Sequence, residues 1–179
     1  MPANPIIFMY HGAGGATQDF TARDARYKRA DNSDADLNNP IPIPSSGINY
    51  SYPKHTKIAW TTTPNELIQN LQWYLLEADQ AIDPALNWDG LTLWAGLTST
   101  ANYLQGTTND AVALRPNLTD AATYNSATPL VVLAGTVIAA GETGTGMTQP
   151  FVVSQLAVLP AALSGLKGRR EIYFRFEEI

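Results

Sequence analysis

Two histidines, His11 and His55, are the chain's whole stock of side chains that ordinarily titrate near neutral pH. His11 ends the run Pro5-Ile-Ile-Phe-Met-Tyr-His11 and opens the turn Gly12-Ala-Gly-Gly15. An apolar strand running into a His-Gly turn is how some α/β-hydrolases aim backbone N–H groups at an oxyanion. That loop works with a nucleophilic serine in a Gly-x-Ser-x-Gly elbow, and no such elbow occurs in the chain. The base of such an enzyme follows its nucleophile and acid, and no histidine follows His55. The plainer reading of residues 5–15 is a strand that ends in a glycine turn.

The other candidate chemistries fail on spacing. Gly141-Glu-Thr-Gly-Thr-Gly146 has the glycines of a phosphate loop, but Met147 stands where the lysine belongs. Asp31, Asp34 and Asp36 lack the glycine and distal glutamate of a calcium loop. The chain has no cysteine, which excludes disulfides and thiolate metal sites. Glu77 and Asp79 could form an acid/base pair, but on a helix two residues apart they point to different sides. Trp60, Trp73, Trp88 and Trp94 could line a sugar-binding platform, although indoles in a small β domain more often serve core or interface. No catalytic residue, metal site, cofactor or small-molecule substrate is therefore expected.

One basic cluster stands out in a chain of net charge −5: Arg23, Arg26, Lys28 and Arg29. It is the candidate contact to acidic neighbours, lipid headgroups or nucleic acid, set against a solvated segment crossed by Asp24 and Asp31. With Trp94 these four residues make up the candidate interface set. The acidic balance argues against general nucleic-acid binding, which needs a basic face. Charged residues make up only 15% of the chain beside 45% hydrophobic ones, so part of the surface is expected to be covered by other subunits. No apolar run is long enough to span a bilayer as a helix, and Met1–Tyr10 lacks the basic start of a secretory signal.

The elements follow from period and punctuation. In Ile172–Glu177, Ile172, Phe174 and Phe176 alternate with Tyr173, Arg175 and Glu177, the pattern of a strand with one wet side. The runs Pro129–Ala140 and Gln149–Pro160 are apolar on both faces, which predicts strands in mid-sheet or under a partner. Pro160 stops the second of these. Lys57–Trp60, Gly90–Leu97 and Val112–Leu114 are further strand candidates. Thr63-Pro-Asn-Glu66 has the form of a capping box, and Leu67, Ile68, Leu71, Tyr74, Leu75, Ala78 and Ile82 share a helical face. Local preference thus predicts an amphipathic helix over Pro64–Ala81. Asn39-Pro-Ile-Pro-Ile-Pro44 reads as extended, polyproline-like chain. Residues 1–53 are expected to form an N-terminal arm and extended loops, and residues 54–179 a β-barrel core of the same domain.

A Pro-rich arm, a succession of short strands, low charge and an aromatic closing strand form a pattern, carried by Lys57–Ile82 and Pro129–Ile179. It resembles the smaller single jelly-roll major capsid protein of tailless, membrane-containing icosahedral phages, the sphaerolipovirus-like type. The resemblance implies a mainly β, single jelly-roll barrel or sandwich with at most one or two short helices, and makes Pro64–Ala81 partly or wholly strand. It also implies a virion protein made in the host cytoplasm, a homodimer or larger oligomer. Its partners would be a larger sister capsid protein and the lipids of an inner viral membrane, and it would have no enzymatic activity. A phage decoration or tail module, or a carbohydrate-binding β-module, is the alternative.

Overall fold

A computed structural model describes residues 4–23, 26–34, 37–60, 67–76, 88–98, 103, 105, 118–138, 150–165 and 171–179. The protein is mainly β, built from two antiparallel sheets packed face to face as in a β-sandwich. The strands are β1 (Pro5–His11), β2 (Ala16–Asp19), β3 (Asn49–Tyr50), β4 (Lys54–Trp60), β5 (Ile68–Leu75), β6 (Leu91–Thr98), β7 (Thr119–Asp120), β8 (Leu130–Ile138), β9 (Phe151–Val158) and β10 (Ile172–Glu178). The larger sheet runs β2-β1-β4-β9-β6-β7, with β3 also on β9, and the smaller runs β10-β5-β8. The 3-10 turn Ala121–Thr123 is held by the Asp120 carboxylate, which accepts from the Ala122 N–H.

The core lies between the sheets. Ile58, Trp60, Leu93, Ala95 and Val152 of the larger sheet meet Ile68, Leu71, Trp73, Leu75, Val132 and Ile138 of the smaller. Trp60 meets Phe176 edge-on, with ring centroids 5.1 Å apart. Alternation in β10 is as expected: Ile172, Phe174 and Phe176 pack on this core while Tyr173, Arg175 and Glu177 are exposed. Burying each such aromatic contributes about 2 kcal/mol. β9 sits mid-sheet between β4 and β6 with all eight residues buried, which is why it is apolar on both faces.

Three expectations need correction. Residues 68–75, expected within a helix, form strand β5; the capping box at 63–66 lies outside the described residues. The cause is a bulge. Asn70 takes φ 56, and the register slips on either side of it against β8. That extra residue puts Ile68 and Leu71 on the core side at a spacing of three, which imitates a helical stripe. From Leu71 on, Trp73 and Leu75 keep the ordinary spacing of two. Secondly, β8 is not in mid-sheet. It ends the smaller sheet, and Val131, Ala134, Gly135 and Thr136 are exposed. Thirdly, the sheet starts well before residue 54. β1 pairs with both β2 and β4, because its apolar run matches β4 from Pro5–Trp60 to Tyr10–His55. From Phe20 to Ile48 the described residues hold no helix or strand. The strand candidate Val112–Leu114 and the glycine loop 141–146 lie outside the described residues.

Candidate functional site

The predicted interface residues scatter. Arg23 and Arg29 are exposed, Arg26 is half-buried, and Lys28 is buried. Between them the Tyr27 hydroxyl shares a 2.6 Å hydrogen bond with Ser154 on the core-facing side of β9. Burial pushes the Tyr27 phenol up to about 12, against the opposing pull of that bond. Trp94 pairs in register with Gln155, on the opposite face of the larger sheet, and packs against Leu118, Phe151 and Val153. The five residues therefore form no common surface. The tryptophan platform is also absent as a surface: Trp60 and Trp73 are buried in the core, while Trp88 and Trp94 are half-buried.

Instead, the basic segment folds inward to make a polar knot at one end of the larger sheet. Asp31 Oδ2 accepts hydrogen bonds from the Gly12 N–H at 2.7 Å and the Tyr103 hydroxyl at 3.0 Å. Gly12 and Gly15 take positive φ in the turn that closes β1 onto β2, and a Cβ on Gly15 would strike the Tyr103 ring. The glycine turn that resembles an oxyanion loop is thus already occupied by the protein's own carboxylate. Nearby, Lys54 is buried and its Nζ donates to the Asn32 carbonyl at 3.1 Å. Burial pushes the Lys54 ammonium down to about 8; Asp31 opposes this and Lys28 adds to it. His55 lies edge-on to Tyr103 and Phe151, and the Lys57 ammonium sits 4.2 Å over the Phe151 ring. His11 ends β1, opposite Ala16, and His55 is enclosed in this aromatic cluster.

The outward face of the smaller sheet is organised differently. Tyr74 of β5 stacks on its cross-strand partner Tyr173 at 5.5 Å, with the rings 16° from parallel. The Arg175 guanidinium lies 5.6 Å from the Tyr74 ring centre and donates twice to Gln72 Oε1, at 2.9 and 2.7 Å. Glu177 Oε2 accepts from Asn70 at 2.6 Å and Gln69 at 3.0 Å, and these bonds hold its carboxyl below the ordinary carboxylate range. Asn70 Oδ1 in turn accepts from the Gly135 N–H at 3.0 Å, tying the bulge to β8. The Tyr173 hydroxyl donates to Glu171. The result is a ladder in which the long side chains are held in place by their neighbours, with half-exposed Val131 at its β8 end.

Among the described residues no three His, Cys, Asp or Glu side chains gather as metal ligands. A shallow depression of about 310 Å³ is lined by Arg29, Asn39, Pro40 and Tyr52, with no paired acid and base in it. No helix among the described residues is long and apolar enough to cross a membrane. What the arrangement offers is surface: one covered sheet and one sheet with an ordered, exposed face. No known protein family, curated protein or solved structure matches the chain.

Proposed function

We propose that the protein is a structural capsid subunit of a tailless, membrane-containing phage, a single jelly-roll block that oligomerises and packs beside a larger sister capsid protein over an inner membrane. The observation that carries this reading is the strand order. β4 pairs with β9, β5 with β8, and β6 with β7. The pairs are nested: first with last, second with next to last, third with the one that follows. Chain crossings from β4 to β5 to β6, and from β7 to β8 to β9, alternate between the sheets. A long hairpin rolled over on itself produces such wiring, and that is how a jelly roll is built. β1 and β10 extend the two sheets beyond it.

The work of such a protein is geometric, with no reaction and no cofactor. Closely packed double sheets make a stiff brick with few open strand edges, and low surface charge suits lateral packing against neighbours. Sedimentation and electron microscopy of the purified and native material test the reading. Dimers or larger species, and particles in native preparations, are expected. A protein that stays monomeric at every attainable concentration, in native material free of particles, would overturn it.

A further inference from the structure

We propose that the outer face of the smaller sheet is the contact through which a second copy of this chain docks. The inference rests on the assembly reading above and assigns it a surface. Three observations single out this face. First, it is an ordered face left open. The larger sheet's outward side is closed off around β9 by Trp94, Tyr103 and Leu118, whereas Tyr173, Arg175, Glu177 and Val131 are exposed. Secondly, it is already rigid. Arg175 is fixed by Gln72 and Tyr74, and Glu177 by Gln69 and Asn70. Docking then forfeits little side-chain freedom, which is normally a leading cost of association. Tyrosine and arginine are also the residues that dominate the centres of protein interfaces.

Thirdly, the charges complement themselves. Arg175 and Glu177 stand two residues apart on the exposed row of β10. A two-fold axis between two such faces, crossing β10 at Phe176, sets each Arg175 against the other copy's Glu177. A uniformly acidic or basic partner would satisfy only one of the two.

Light scattering and sedimentation velocity on the full chain test this with Arg175→Glu, Glu177→Arg, the double exchange, and Val131→Lys. The wild type is expected to dimerise. Each single charge reversal weakens the dimer about tenfold or more, and the double exchange restores most of it. Val131→Lys removes no internal hydrogen bond, yet plants a charge in the contact and lowers dimerisation as strongly; thermal melts confirm that each variant is folded. A dimer indifferent to Val131→Lys and to both single reversals overturns this face while leaving assembly by another surface. A double exchange as weak as the singles also overturns it. A wild type that is monomeric throughout removes both this contact and the assembly reading.

Discussion

Lys54 and Tyr27 set opposite limits on stability with pH. Below about pH 8 the Lys54 ammonium is charged in both folded and unfolded chains, and the folded chain bears the whole cost of a buried cation. Between about 8 and the ordinary 10.5, the folded lysine has given up its proton while the unfolded one keeps it, so stability rises with pH. Tyr27 acts the other way. Its phenol ionises near 10.0 when unfolded and about 12 when folded, so stability falls above pH 10. Melting temperature should therefore climb from about pH 8 and peak near pH 10. Lys54→Met should flatten the rise, which is worth of the order of 3 kcal/mol, and leave the alkaline fall in place. Calorimetry across the neutral-to-alkaline range reads both limbs; a Lys54→Met variant with an unchanged rise would show that another group drives it. None of this was visible in the chain, where Arg23–Arg29 reads as a contact cluster or a solvated basic run. Lys28 is drawn inward because its carbonyl accepts from the Tyr52 N–H and the neighbouring Tyr27 anchors on Ser154.

Strand β5 depends on one residue out of phase. Asn70 holds a left-handed conformation that a β-carbon disfavours, and its amide bonds both Glu177 and Gly135. Asn70→Ala loses the bonds and keeps the strain, and should cost about 1–3 kcal/mol in denaturant unfolding. Asn70→Gly loses the bonds alone and should cost about 1 kcal/mol less. Equal costs would mean that backbone strain plays no part. On the facing strand, Phe174→Asp puts a charge among Phe174's core neighbours and should destabilise by roughly 2–4 kcal/mol, or prevent folding; a variant as stable as the wild type would show that β10 adds little to the core. Strands β6, β9 and β10 were legible because their side chains alternate, or are apolar throughout, without interruption. β5 was not, because the bulge gives its apolar residues a helix-like spacing and only pairing with β8 and β10 decides between the two. The outer ladder was equally hidden: it joins Gln72 to Arg175, 103 positions apart. No local pattern records that meeting.

At the scale of the molecule, the two sheets differ in exposure. The larger is wrapped on both faces along β9, and the smaller offers one open face. If the jelly-roll assignment and the proposed contact hold, oligomers should survive salt poorly, because exposed charge pairs are screened within about 10 Å at 0.1 M ionic strength. Sedimentation at rising salt checks this, and a dimer strengthened by salt would point to an apolar contact elsewhere. The nested pairing has a further consequence, for the order of events at birth. Thr56 of β4 bonds the carbonyl of Val152, 96 positions later, so the first strand of the nest must wait for its neighbour while the intervening residues are made. Folding through such distant partners is slow, and the waiting strands are exposed to other nascent chains. Productive yield in the cell should thus hinge on chaperone supply and on how crowded the messages are with ribosomes.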